Sequence, residues 1–523
     1  MRPRISQRIL TLRPSRPPSR LFTQNFNARP QLPFLNNPTR RRAVRFLTTE
    51  RKLYLKEQAL LAGKYTTILW TTTALGLIIA FGLQQEYLER KYPSPHDWNW
   101  ITRKDYRSAR WNEEPAEGKI IDWARTGNAY RLLIAKLEDT AKEGADVEVG
   151  DISKKSEPWR RGYYDLLMGA ARAAEHLDGW VRDKTRNTAF PGNVVIGPSN
   201  PDPRPVPPGA ASPPREEDCE AAFEDPSVYY NRILTTNGFD ERQQLEATLA
   251  FANWFDYKGD SESAESLYQR ALNIAKDHKD IVEKSGAIKA DAGIISANVL
   301  KATTALAVHR AVCGDTSSAL PIFLSILRAR RALPEHVPSM RSTLADNEDD
   351  QNGLVKNLWG MVRSVIIAPE YPPPPPSGMD PPTRTSKEKC EESAVMAYIG
   401  EILFASGTSG RDNGLAWTRE AVDVAEQELR TKKMDKIAKS TCAACLEVGL
   451  GNWSKMVSRL SREEKEKKSV PKSSWWGKIE PTEAKGRWES EEEVVKERIK
   501  RVRQLFETDN LNTAGGSGTF IFS

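Results

Sequence analysis

The sequence predicts an all-α fold: an α-solenoid of stacked helical hairpins behind a disordered N-terminal segment and one transmembrane helix. Three observations predict it. From Asp97 onward, apolar residues recur at helical spacing near 3.6 and strand-like alternation is scarce. Residues 65–85 carry no charge and are bounded by Lys64 and Glu86. A pattern of small and aromatic residues fills a 34-residue unit at 245–278 and recurs less faithfully downstream.

The N-terminal segment comes first. The 523 residues suffice for two or three domains, and 39% apolar with 28% charged residues suits a helical protein. The 34 Pro and 32 Gly imply irregular stretches between helices. The net charge of +7 is concentrated at one end: residues 1–46 hold 11 Arg and no acid. Subtracting these from 77 basic residues leaves 66 against 70 acids over 47–523, a balance of −4. A nucleic-acid binder needs a basic footprint in its folded part, so no nucleic-acid partner is expected.

Residues 1–46 have the character of a mitochondrial presequence, Arg-rich, acid-free and interleaved with Ser, Thr and Leu. Ile5, Ile9, Leu10 and Leu12 form the apolar stripe of a short amphipathic helix before Pro14. Arg45-Phe46-Leu47 resembles the processing-peptidase pattern, which starts the mature chain near Leu47. A basic arm for RNA or anionic lipid is the alternative. The lack of any acid before Glu50 favours targeting.

Residues 47–64 form a matrix-side segment and 65–85 the transmembrane helix. About 20 residues at a rise of about 1.5 Å span a hydrocarbon core of about 30 Å. Tyr65, Trp70 and Tyr87 fall near the interfaces, where aromatic rings settle. Arg51, Lys52, Lys56 and Lys64 precede the span, whereas Glu86 and Glu89 open its far side. Positive charge stays inside, so the expected topology is a single-pass inner-membrane protein. Its N-terminus lies in the matrix and its C-terminal domain in the intermembrane space.

Periodicity places helices at about 119–142, 158–185, 228–235, 240–257, 261–278, 285–313, 316–331, 352–366, 387–405, 412–430, 433–448, 452–468 and 489–507. Residues 198–214 and 369–382 each contain eight prolines and predict stiff surface loops, with docking to a recognition domain as the alternative. The resulting organisation is a helical segment with a divergent repeat (86–195), a Pro-rich loop (196–225) and repeat units (226–334). A linker with a helix and the second Pro-rich loop (335–386), further units (387–468), a C-terminal linker and capping helix (469–507) and a flexible tail (508–523) follow.

The repeat signal is clearest at 245–278. Ala264, Tyr268 and Ala271 follow the turn Lys258-Gly259-Asp260, with Phe251, Ala252 and Phe255 upstream. Small residues let two helices approach while aromatic rings fill the remaining space. One pair cannot cover its own apolar face, so neighbours must stack. Residues 300–333 offer Leu306, Ala307, Ala319 and Phe323; about 393–428 offers Ile399, Gly400, Gly414 and Ala421. Residues 433–466 form a shorter pair turning at Gly449–Asn452 with Trp453 packed, and 119–185 forms a divergent pair with Tyr164, Ala171 and Ala174 on its second helix.

This pattern resembles the tetratricopeptide repeat over about 230 residues, although the first-helix Trp is absent and most units lack the terminal Pro. The resemblance implies a concave face lined by the first helices. Its positions fall on Glu246, Leu249, Asn253 and Asp256, on Lys301, Thr304, Val308 and Ala311, and on Ala394, Ala397, Glu401 and Phe404. Relatives that clamp chaperone tails need Lys and Asn at two of these positions, and only Asn253 fits. The mixed, partly apolar lining suits a hydrophobic segment or another helix. Coverage of some of these residues by the proline loops is the alternative.

Enzyme motifs for phosphate loops, dinucleotide sites, zinc proteases and serine hydrolases are absent. The histidines, His96, His176, His278, His309 and His336, stand apart, and no cofactor or metal is expected. The five cysteines, Cys219, Cys313, Cys390, Cys442 and Cys445, form no disulfide framework. Cys442 and Cys445 make a Cys-Ala-Ala-Cys that is either a redox or metal half-site or two small apolar residues on one helical face, and no second Cys pair or nearby His completes a zinc site. The helix at 489–507 has acids first and bases last, complementing its dipole. Val494, Val495, Ile499, Val502 and Leu505 give it an apolar stripe that caps the array.

Presequence, one anchor and a divergent repeat array together resemble the fungal tetratricopeptide-repeat adaptor subunit of the inner-membrane i-AAA protease. The resemblance implies a non-enzymatic protein that binds unfolded clients and protease subunits for quality control. An assembly or turnover factor for a respiratory complex has the same layout, and a Cys-dependent redox protein is a third alternative.

Overall fold

The computed structural model describes residues 49–114, 120–142, 151–206, 209, 211–277, 279–335, 371–407, 410–431, 434–469 and 486–512. The segment read as a presequence, the helix expected at 352–366 and the tail beyond Asn512 lie outside them. The chain divides into two compact units, one up to Phe81 and one from Gly82 onward.

Helix α1, Thr49–Lys91, runs through the expected span and extends it at both ends. It is long and apolar enough to cross a membrane, and its apolar window is wholly unburied by protein. The threonines within it do not interrupt it. Thr67, Thr71, Thr72 and Thr73 each donate a hydroxyl to the carbonyl four residues back, at 2.5–2.9 Å. Each hydroxyl is thereby satisfied without water.

The second unit is mostly helical. It comprises α2 (Trp100–Glu113), α3 (Trp123–Lys142), α4 (Glu157–His176), α5 (Pro226–Thr235), α6 (Glu241–Lys258), α7 (Ser261–Lys276), α8 (Ala297–Val312) and α9 (Thr316–Arg331). Then come α10 (Ser386–Ala405), α11 (Arg411–Leu429), α12 (Lys436–Ser469) and α13 (Arg487–Asn512). Local chemistry sets many of these boundaries. The side chains of Ser156, Asp260, Ser296 and Asp315 accept a backbone N–H three residues on, opening α4, α7, α8 and α9. Gly259 ends α6 at φ 80°.

Each helix from α2 to α13 packs on the next in the chain, α4 on α5 included although the sheet described below lies between them in sequence; α6 also touches α8, and α10 touches α12. One core gathers α2–α6 around Tyr130, Leu166 and Tyr230. A second joins α6–α11 around Leu306, Ile322, Phe323 and Met396, and a third joins α10–α13 around Leu446, Leu450 and Trp453.

Four features depart from the sequence expectation. Helix α2 was not anticipated. The helix expected over 158–185 stops at His176, because Gly179 turns the chain at φ 70°. The chain then forms a three-stranded antiparallel sheet, β1 (Trp180–Asp183), β2 (Thr188–Pro191) and β3 (Cys219–Ala221), in the order β2-β1-β3. Trp180 pairs with Pro191 and Val181 with both Phe190 and Ala221. The first Pro-rich loop, between β2 and β3, is closed at its base: the Ile196 N–H donates to Pro214 O, and the Glu216 N–H to Ile196 O, each at 3.0 Å. Helix α8 begins at Ala297 and not near 285, since residues 282–288 form an isolated bridge. The turn expected at Gly449–Asn452 does not occur. Leu446, Leu450, Trp453, Val457 and Leu460 keep one apolar stripe through both glycines, so α12 is continuous.

Candidate functional site

The residues expected to pack the repeats are buried at helix contacts. Phe251, Ala252, Ala264, Tyr268, Ala271, Leu306, Ala307, Ala319, Phe323 and Ala421 are all in the interior, and Phe255 is partly buried 4.9 Å from the Phe251 ring centroid. Gly400 and Gly414 face each other where α10 and α11 approach closely. A Cβ at Gly400 would collide with Thr418 and with the Gly414 carbonyl. Only glycine permits that crossing.

The residues expected to line a groove divide among several surroundings. Glu246, Lys301 and Thr304 lie along one cleft of about 620 Å³, together with Ala394. Leu249, Ala397 and Phe404 are buried in the cores, and Val308 and Ala311 pack partly against them. Glu401 is exposed and accepts from the Asn452 carboxamide at 3.1 Å. Asn253 borders a different hollow, beside Trp254 and Tyr257.

Asp256 faces inward. The Tyr268 hydroxyl donates to Asp256 Oδ2 at 2.8 Å and lies 2.5 Å from Asn253 Oδ1. His309, almost fully buried on α8, places Nδ1 2.7 Å from Asp256 Oδ1 and Nε2 3.5 Å from Glu265 Oε2. Burial, with the Asp256 carboxylate second, pushes the Tyr268 phenol well above its ordinary range. These groups form a polar tie between α6, α7 and α8.

The cleft is built from the inner sides of α6, α8 and α10, with Thr441 and Cys445 of α12 at one end. Its floor is apolar at Leu300, Ala305, Ala394 and Val395, and the exposed Tyr398 stands beside them. Charges on its rim are internally paired. Glu246 accepts from Arg242 and Lys301, each at 3.2 Å, and Arg330 reaches Glu388 at 2.6 Å and Glu391 at 2.8 Å. Burial and the adjacent Glu391 carboxylate push Glu388 up from its ordinary value.

The second Pro-rich stretch crosses these helices as a strap. On α4, the Arg161 guanidinium lies 4.3 Å from the Tyr371 ring centroid and donates to Pro372 O. On α6, Arg242 Nη1 donates to Pro376 O at 2.7 Å. At the start of α8, the Asn298 carboxamide donates to Ser377 O at 3.0 Å, and the Ala297 N–H to Asp380 O at 3.2 Å. The strap returns beside Pro334, whose carbonyl accepts from the Arg384 N–H at 2.8 Å. Proline carbonyls remain free to accept although proline nitrogens cannot donate, which suits an extended segment held by side-chain donors. Repeat spacing did not identify Arg161, Arg242 or Asn298, because they lie on different elements and act through carbonyls of a distant loop.

Cys442 is disulfide-bonded to Cys390, tying α12 to α10, with Cα atoms 5.0 Å apart. The scattered spacing of the cysteines suggested no disulfide, but the packing of α12 on α10 brings together two cysteines that lie far apart in sequence. Cys445 is free, and burial pushes its thiol up to about 11. A thiol so raised is a poor nucleophile near neutrality.

The fold and cleft define a mostly helical chain with one helix fit to span a membrane. The chain matches no family profile, no curated protein and no solved structure.

Proposed function

We propose that this chain is a mitochondrial inner-membrane scaffold whose tetratricopeptide-like helical array binds other proteins. In this reading α1 is the anchor, the array faces the intermembrane space, and the cleft recruits unfolded segments to the i-AAA protease. The observation that carries it is the strap. An extended segment already lies beside an apolar cleft, held by side chains of successive helices through its carbonyls. A client segment would be held by the same chemistry, with the floor of α8 and α10 taking its apolar side chains. The Cys390–Cys442 bond supports an oxidising compartment for the array.

The test has two arms. Protease added to mitoplasts should remove the array, while intact mitochondria should protect it; protection in mitoplasts reverses the topology. Co-purification from detergent-solubilised mitochondria should recover i-AAA subunits, and Thr304→Arg, which projects into the cleft, should lower recovery of unfolded clients without lowering the melting temperature. Recovery of respiratory-complex subunits alone would replace the adaptor role with an assembly role. Unchanged client recovery from the variant would remove the cleft from the account.

A further inference from the structure

We infer that α2, with the end of α1, forms an interfacial anchor: an aromatic face that sits in the headgroup layer of the bilayer. The inference rests on α1 being the membrane span, and it goes beyond that reading by assigning a second lipid contact in the folded unit.

Tyr87 follows Leu83, the last residue of the apolar run, by four residues, so along a helix it lies about 6 Å beyond the hydrocarbon edge. The headgroup layer is about 5–8 Å thick on each side, so Tyr87 falls within it. Helix α2 is fastened at this level. Arg107 Nη2 donates to Gln85 Oε1 at 3.0 Å, and the Trp111 ring meets the Tyr87 ring edge-on with centroids 6.5 Å apart. Arg107 and Arg103 both also pair with Glu89, which is buried and accepts from the Ser94 hydroxyl. A buried carboxylate bound by two guanidinium groups resists separation of α2 from α1.

The side of α2 turned away from the protein is the telling one. Thr102, Tyr106, Arg107 and Ala109 face inward. Ile101, Lys104, Ser108 and Trp111 recur at spacings of three and four on the opposite side, next to Trp100. Tyr87 is 57% exposed, Trp100 55%, Ile101 50% and Trp111 47%. These exposed rings and Ile101 stand beside a membrane exit, and the interface suits them, since Trp and Tyr rings partition there with their polar edges wet. Lys91 pairs with Glu114 and lies 4.9 Å from the Trp111 ring centroid, Arg90 pairs with Glu86, and Lys104 adds a cation to the outward side. The rings, not a basic patch, make the contact, so zwitterionic lipid suffices.

The experiment uses the full chain in phosphatidylcholine nanodiscs, with Cys219, Cys313 and Cys445 replaced by alanine and a nitroxide placed by Leu75→Cys, Ser108→Cys, Ile101→Cys or Gln269→Cys. Gln269, on the surface of α7, is the water reference. Collision with a water-soluble nickel chelate should be severalfold lower at positions 108 and 101 than at 269, and lowest at 75. Protection at 75 with full chelate access at both 101 and 108 overturns the interfacial anchor and leaves the membrane span standing. Full access at 75 overturns both. Since Ser108 and Ile101 are exposed, their labelled variants retain the fold, and a melting curve matching the unlabelled chain verifies it.

Discussion

Asn298 and Gly378 hold each other across 80 residues of sequence: the Asn298 backbone N–H donates to the Gly378 carbonyl at 3.0 Å, at the point where the proline strap meets α8. Gly378 has φ 77°, and a Cβ there would strike the Asn298 carboxamide. Gly378→Ala therefore combines left-handed strain with a clash at the strap's anchor. It should destabilise the protein by about 1–3 kcal/mol and expose residues 371–385 to limited proteolysis. An unchanged melting curve and cleavage pattern would show that the strap is not fixed there.

Cys390 and Cys442 are 52 residues apart, and their bond closes the segment containing α10 and α11. Constraining a loop of this length in the unfolded chain stabilises the folded state by about 4 kcal/mol in the chain-entropy account. Replacing both with serine should lower the melting temperature, as should reduction of the native chain. Alkylation under denaturing, non-reducing conditions should label three cysteines, not five. Labelling of all five would remove the bond from the fold.

How much of this was legible depends on the range of the interaction. The boundaries of α6, α7 and α9 were readable because Gly259, Asp260 and Asp315 act within one helical turn. Glycines mislead where neighbours override them: Gly449 and Gly451 suggested a turn, but the apolar stripe from Leu446 to Leu460 carries α12 through. The β1–β2 hairpin was hidden because Trp180 and Val181 continue an Ala-rich helical pattern in sequence, while the pairing of Val181 with Ala221 of β3 comes from 40 residues away. Of the groove, the repeat template located Glu246, Lys301 and Thr304 at the cleft, but it had no means to see Arg242 and Asn298 bonding carbonyls of the strap.

The turn of that hairpin should govern part of the acid response. Asp183 is buried, and its carboxylate accepts first from the Thr185 hydroxyl, then from the Arg186 guanidinium and two backbone N–H groups. These bonds hold its pKa down at about 2. Because the folded value is depressed, the stabilisation is present above the unfolded aspartate value of about 4 and is lost as pH falls toward 2. Asp183→Asn should therefore flatten the loss of stability between those values and weaken the sheet at neutral pH. A variant whose acid unfolding parallels the parent's would place the acid-sensitive groups elsewhere.

Asp256 decides between a groove residue and a structural one. If it met clients, Asp256→Ala would weaken their binding and leave the fold alone. The structure instead has it satisfying Tyr268 and the buried His309 at once. Removing it takes the carboxylate from the buried His309 Nδ1, leaving the Cys313 sulfur 3.8 Å from that nitrogen and Glu265 beside Nε2, so the cost should be about 1–3 kcal/mol. Asn253→Ala should cost less, because Tyr268 keeps Asp256 as acceptor. Urea unfolding of the two variants checks the order. A stable Asp256→Ala protein with impaired client binding would return Asp256 to the binding face and remove the tie between α6, α7 and α8.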